Sequence, residues 1–118
     1  MNTILNVGIM PREQYQQRLL DIAGGRYKPK PNEPKIWFSS IKSLSAVLSD
    51  HNVKLLKIIQ EQQPENLKAL SEISGREVSN LSRTLKTMEH YGIVELQKQQ
   101  RMVKPVVKAT EFAIQYRL

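Results

Sequence analysis

The sequence predicts a fold of the α+β class. Apolar residues recur at three- and four-residue steps in several separate segments, which is typical of amphipathic helices. Apolar and polar residues alternate near both ends of the chain, which is typical of half-buried strands. Two short apolar runs after Gly92 flank a polar turn and predict a β-hairpin.

Composition limits the class of protein further. A chain of 118 residues with 40% hydrophobic content has the size of one folded domain. Eighteen Lys and Arg against eleven Asp and Glu give a net charge of +7, which favours an anionic partner such as nucleic acid or a membrane surface. No apolar run approaches the about 20 residues of a membrane span, and the N-terminus lacks a signal-peptide pattern. We therefore expect a cytoplasmic protein.

Neither a metal site nor enzyme activity is expected. The chain has no cysteine, and His51 and His90 have no plausible cluster of further ligands around them. The adjacent residues Ser49, Asp50 and His51 are the types found in a hydrolase triad, but a helix cap explains them better because a triad must converge in space. There is also no glycine-rich phosphate loop, so we predict no cofactor.

Residues 1–36 are predicted to form an N-terminal strand, a helix and a linker. Alternation over 5–9 indicates the strand, and helical spacing from Pro11 to the Gly24-Gly25 pair indicates the helix. Residues 26–35 combine three prolines with four cations, which is typical of an extended, solvated linker. An alternative is a basic arm that enters the DNA minor groove. We expect the strand and helix to contact a second protomer or another partner.

Residues 37–118 are predicted to form the folded domain itself, which begins with Trp37 and Phe38. Trp37 fits a core or dimer contact better than a base-stacking role. A helix follows the Ser39-Ser40 cap, and a second helix begins at Ser49 or Asp50. Its apolar stripe is formed by Val53, Leu56 and Ile59, widened by Leu55 and Ile58.

The segment 66–94 predicts a helix-turn-helix. The first helix has Asn66 as its N-cap and an apolar face of Leu67, Leu70 and Ile73, and Ser74 with Gly75 provides the turn. The second helix ends near Tyr91, before Gly92. Its apolar face, which must be buried, consists of Val78, Leu81, Leu85 and Met88.

The opposite side of this second helix carries short hydrogen-bonding side chains and cations without an acidic residue. In a helix-turn-helix this helix enters the DNA major groove. Arg83 would then read guanine and Asn80 adenine, while Arg76 and Lys86 would contact phosphates. The predicted contacts of this helix are Arg76, Ser79, Asn80, Ser82, Arg83 and Lys86. The alternative is that these residues merely solvate a surface helix.

The predicted hairpin, residues 93–98 and 102–108 around a turn at 99–101, would be the wing of such a domain. Lys98, Arg101 and Lys104 are expected to contact phosphates or the minor groove and to give salt-dependent affinity. Pro105 suggests an edge strand. Alternation over 112–118 favours a last strand beside the N-terminal one, although Phe112 and Tyr116 also fit one helical face.

Two stretches carry a family resemblance. Ser82-Arg83-Thr84-Leu85, followed by Met88-Glu89 and Gly92-Ile93-Val94, resembles the recognition helix and wing entry of MarR-like winged helix-turn-helix regulators. The resemblance spans roughly residues 50–108. The run from Pro64-Glu65-Asn66 through Gly75-Arg76-Glu77-Val78 to Asn80 is similar to small prokaryotic regulators, several of which are antitoxins encoded beside toxins.

The resemblance implies a homodimeric repressor that binds an inverted repeat in double-stranded DNA. If the narrower similarity to antitoxins applies, the operator is the protein's own promoter and a cognate toxin is a further partner. Two rival interpretations use the same basic surface: a protein-interaction adaptor that has lost DNA binding, and a module that binds structured RNA.

Overall fold

The computed structural model describes residues 3–118 and confirms the α+β class. Within these residues, the chain forms five helices and five strands. In order they are β1 (Ile4–Ile9), α1 (Arg12–Ala23), β2 (Ile36–Phe38), α2 (Ile41–Val47), α3 (Asp50–Gln62), α4 (Leu67–Ser74), α5 (Val78–His90), β3 (Val94–Gln99), β4 (Met102–Val107) and β5 (Glu111–Tyr116). Every helix and strand that the sequence predicts is present.

The chain forms two compact units. One contains Ile4–Ala46 and Glu111–Leu118, and we call it the sheet unit. The other contains Val47–Thr110 together with Thr3, and we call it the helical unit. This grouping differs from the predicted division after residue 36, because the C-terminal strand pairs with the N-terminal one and so belongs to the sheet unit.

The sheet unit is built on three parallel strands in the order β2-β1-β5. Helix α1 lies in the crossover from β1 to β2, as parallel neighbours require. Val7, Ile9 and Phe38 are buried in its core. Gly8 is required for close approach, because a Cβ there would lie 2.2 Å from a ring carbon of Trp37. The prediction that the last strand lies beside the first is confirmed.

The expectation that 26–35 is a solvated linker throughout is wrong. Glu33 accepts a hydrogen bond of 2.9 Å from Arg18 of α1, and the two side chains are only 10% and 14% exposed. The Tyr27 hydroxyl donates to the same carboxylate, and the Arg18 guanidinium lies 5.1 Å from the ring centroids of both Tyr27 and Trp37. Pro34 is buried. The segment is therefore anchored to α1, and composition alone could not predict this pairing.

The Glu33 contacts predict an acid-sensitive contribution to stability. The hydrogen bond from Tyr27, and then that from Arg18, lower the pKa of Glu33 below its ordinary value. A lowered carboxyl pKa contributes stability that is fully present above the ordinary value and is lost as pH falls through the folded-state pKa. We expect the difference in Tm between the wild type and Glu33→Gln to shrink below about pH 4.3. Thermal unfolding followed at several pH values measures it, and a pH-independent difference would contradict this assignment.

The helical unit packs α3, α4 and α5 together with the β3-β4 hairpin. Ser49 caps α3, and Asn66 caps α4 by accepting a bond of 2.8 Å from the Ala69 amide. Gly75 ends α4 in the left-handed region, with φ of 76°. The buried side chains of this core include Leu55, Leu56, Ile59, Leu70, Leu81, Leu85, Met88 and Ile93.

Two residues of the apolar faces predicted for α4 and α5 are exposed. Val78 is 45% exposed and Ile73 is 41% exposed. Val78 is the first residue of α5 and Ile73 lies in the last turn of α4, so both stand at helix ends beside the connecting turn. Helical periodicity identifies the face correctly, but it does not show where along the helix the packing stops.

The β3-β4 hairpin is antiparallel, with register from Val94↔Val107 to Gln99↔Met102. Gln100 at its turn has a positive φ of 57°. Among residues 3–118, β4 has β3 as its only strand partner, as Pro105 suggested. None of the described helices combines the length and apolar character that crossing a membrane requires.

Candidate functional site

Helix α5 presents a continuous basic face. At about 100° per residue, the buried Leu81, Leu85 and Met88 define one side of the helix. Ser79, Arg83, Lys86 and His90 lie on the opposite side and are exposed. Of the residues predicted as base contacts, Ser79 and Arg83 are therefore central on this face. Asn80 and Ser82 lie on its two flanks and are only partly exposed.

Arg76 braces the helices from within the helical unit. It donates hydrogen bonds to Asn80 Oδ1 at 2.8 Å, to Asn52 Oδ1 at 3.1 Å and to Thr84 Oγ1 at 3.1 Å. Its guanidinium thus joins α3 to α5, and its burial lowers the pKa of Arg76. The sequence analysis assigned Arg76 only to phosphate. The structure adds a positioning role and leaves two of its five N–H groups for an external anion.

Arg76 also sets the orientation of Asn80. Because Arg76 can only donate, the Asn80 atom that it contacts at 2.8 Å must be the carbonyl oxygen. The Asn80 amide nitrogen donates to no protein group in the described part of the chain. The side chain is therefore held with its donors available on the flank of the basic face.

The hairpin carries its cations at different depths. Lys98 and Arg101 are exposed at or next to the turn, whereas Lys104 is partly buried. Lys104 lines a cleft of about 240 Å³ with residues of α3 that include Ile59 and Gln60. Lys98 and Arg101 are therefore better placed than Lys104 to meet a ligand.

Both acidic residues in 78–110 are engaged locally. Glu89 accepts a hydrogen bond of 3.0 Å from the Leu96 amide, and this bond joins α5 to β3. Glu95 lies 3.5 Å from Lys108 at the base of the hairpin. Among residues 3–118, no carboxylate forms an ion pair with any of five cations: Arg83, Lys86, Lys98, Arg101 and Lys104. Their positive charge is not neutralised within the described chain.

Asn52, Thr84 and Glu89 are positioning residues that the sequence analysis missed. Asn52 and Thr84 accept from Arg76, and Glu89 holds the start of the hairpin. Thr84 and Arg76 are eight residues apart, so spacing alone gave no signal for the contact. The position of Glu89 next to the last residue of α5 was visible, but its partner was not.

No group of three or more His, Cys, Asp or Glu side chains that could hold a metal occurs in residues 3–118. No curated protein and no solved structure matches the chain. A family model described as HVO_A0114 matches residues 47–114, a range that covers α3, α4, α5 and the hairpin. This match extends over more than half of the 118 residues, and the chain therefore belongs to the HVO_A0114 family.

Proposed function

We propose that the helical unit is a winged helix-turn-helix domain that binds double-stranded DNA. Helices α4 and α5 are the helix-turn-helix, α3 supports them, and the β3-β4 hairpin is the wing. The element order, the tight turn at Gly75 and the buried face of α5 support this assignment. It agrees with the expectation drawn from the MarR-like motifs.

The observation that carries the proposal is the set of five cations without an acidic partner. They lie on α5 and on the hairpin, the two elements that contact DNA in a winged helix. A surface that only solvates the protein gains nothing from the absence of acids, since mixed charges solvate equally well. A polyanion, in contrast, is attracted by uncompensated Lys and Arg.

In the proposed complex, α5 enters the major groove. Arg83 and Ser79 contact base edges, and Asn80 presents its amide donors from the flank. Lys86, Lys98 and Arg101 contact phosphates, and they set affinity rather than sequence preference.

We further propose that the protein acts in the cytoplasm as a homodimeric repressor. Two copies occupy the two halves of an inverted repeat, with half-sites about one helical turn apart or a multiple of it, and exclude polymerase from the promoter. The similarity to antitoxins suggests that the promoter is the protein's own. The cognate toxin stays a prediction, which co-expression and growth rescue with the product of the adjacent gene would test.

Selection from random double-stranded DNA, followed by competition binding at two salt concentrations, tests this function. We expect an enriched palindromic sequence whose complex survives excess random DNA and excess structured RNA. A preference for RNA would support the RNA-binding rival instead. The absence of binding to either nucleic acid at low salt would contradict the proposal and favour the adaptor.

Single alanine variants should separate sequence reading from phosphate contact. We expect Arg83→Ala to weaken the selected site by about 10- to 100-fold and to relax one base preference, because a bidentate contact to guanine contributes about 1 to 3 kcal/mol. Arg101→Ala should weaken all sequences similarly and reduce the slope of log K against log salt by about 1. Lys54→Ala, which removes an exposed lysine of α3, is the matched control. Unchanged binding in both test variants would refute the assigned surface.

A further inference from the structure

Strand β5 has a free edge. It pairs with β1 on one side, and no other strand in residues 3–118 pairs with its second side. Ile114 is 50% exposed and Tyr116 is 52% exposed. The opposite edge of the same sheet, β2, is only three residues long. Strand β5 therefore offers the outward-facing backbone groups of a six-residue edge beside exposed apolar side chains.

This edge lacks the usual protection against pairing. Natural edge strands are shielded by Pro, by Lys, by bulges or by being short. Residues 111–116 contain neither Pro nor Lys nor Gly, and they pair with β1 in an unbroken register. In contrast, β4 includes both Lys104 and Pro105. An edge of this length without such protection is a template for pairing with another strand.

The sequence of this edge is complementary to itself. In an antiparallel pair of two copies about a two-fold axis at Ile114, each Ile114 faces its counterpart. Phe112 then lies opposite Tyr116 of the second copy, and Glu111 lies opposite Arg117 of the second copy. Aromatic pairs and opposite charges are favourable cross-strand neighbours. Neither Glu111 nor Arg117 has an ion-pair partner in the described residues.

Other registers do not give this match. A two-fold axis perpendicular to the sheet keeps each side chain on its own face, so the register can move only in steps that preserve alternation. With the axis at Ala113 or at Gln115, Glu111 of one copy no longer lies opposite Arg117 of the second copy. The charge pair therefore selects one register.

We propose that β5 of one copy pairs with β5 of a second copy about Ile114, and that the two sheets join into one six-stranded sheet. The partner is a second copy of this chain, and the interface is isologous. This β5 pair is the interface of the homodimer in the proposed function. It rests on that function only for the role of the dimer on DNA.

A charge exchange in the full chain tests the register. The wild type should be dimeric by light scattering at about 50 µM, a high concentration chosen because one strand pair forms a small interface. Glu111→Arg and Arg117→Glu should each raise the dimer Kd by about tenfold, since each places like charges opposite each other twice. The double variant should restore the wild-type Kd, and such rescue is not expected of an edge that contributes only to folding. A monomeric wild type, or a double variant weaker than both single ones, would overturn the proposal.

Cysteine crosslinking provides an independent readout. The chain has no native cysteine, so Ile114→Cys introduces a unique thiol that faces its counterpart across the axis. Mild oxidation should convert this variant to a disulfide dimer, whereas Ile41→Cys, at a residue that is 53% exposed on α2, should remain a monomer in denaturing gels. Equal crosslinking of both variants would also overturn the proposal.

DNA binding separates the two claims. A chain that is monomeric yet still binds a half-site contradicts the β5 interface and leaves the proposed function standing. A chain that forms the Ile114-centred dimer yet binds no DNA contradicts the proposed function alone and supports the interface.

Discussion

Arg76→Ala is expected to lower the free energy of unfolding by about 1 to 3 kcal/mol. The variant removes the donor to Asn80, Asn52 and Thr84, at 2.8, 3.1 and 3.1 Å, and leaves three partly buried acceptors for water to satisfy. It also releases the Asn80 side chain, so binding of the selected DNA should weaken beyond the loss expected from one cation. Urea unfolding followed by circular dichroism, together with DNA titration, measures both effects.

Two control variants show that geometry, rather than charge, is responsible. Arg76→Lys keeps the charge, but a single ammonium group cannot span three acceptors on two helices, so most of the stability should still be lost. Arg83→Ala removes an exposed arginine of α5, and it should change stability by less than about 0.5 kcal/mol. An unchanged free energy of unfolding in Arg76→Ala would show that the three hydrogen bonds make no net contribution to stability.

The elements that depend on local pattern were predictable. Leu81, Leu85 and Met88 are fully buried because three- and four-residue spacing places them on one side of any helix. The cap at Asn66 and the turn at Gly75 follow from side-chain chemistry within four residues. Such signals are contained in short windows, and a single sequence is sufficient to find them.

Contacts between distant segments were not predictable. Arg76 reaches Asn52 across 24 positions, and Arg18 reaches Glu33 across 15. In the sequence each of these arginines is indistinguishable from a solvated one, since no nearby residue identifies its partner. The sequence analysis therefore assigned Arg76 only to phosphate, whereas the structure shows that Arg76 braces the helices and that Arg83 is exposed.

The position of β5 was predicted only in part. Alternation over 112–118 indicated a strand, and its placement beside the N-terminal strand is confirmed. Strand β5 belongs to the same unit as residues 4–46 because it pairs with β1. The exposure of one edge of β5 could not be predicted, because it follows from the strand order. The spacing of apolar residues does not reveal the strand order.

Removing Arg83, Lys98 and Arg101 together is expected to give the largest loss of DNA affinity. Each cation that neutralises a phosphate contributes about 0.9 to the slope of log K against log salt, so loss of Lys98 and Arg101 should lower this slope by up to about 1.8. At about 0.15 M salt this corresponds to roughly thirtyfold weaker binding, and the loss of the base contact at Arg83 weakens binding further. Titrations at four salt concentrations give both the slope and the affinity.

The matched control is the triple variant of Lys28, Lys30 and Lys35. It removes the same charge from the sheet unit, at residues that are also exposed, so any effect of net charge alone is common to both variants. We expect its salt slope to stay within about 0.5 of the wild type, because these lysines lie outside α5 and the hairpin. An equal loss in both variants would instead show that net charge alone sets the affinity. A loss of DNA affinity confined to the control would place the DNA-binding surface on the sheet unit instead of the helical unit.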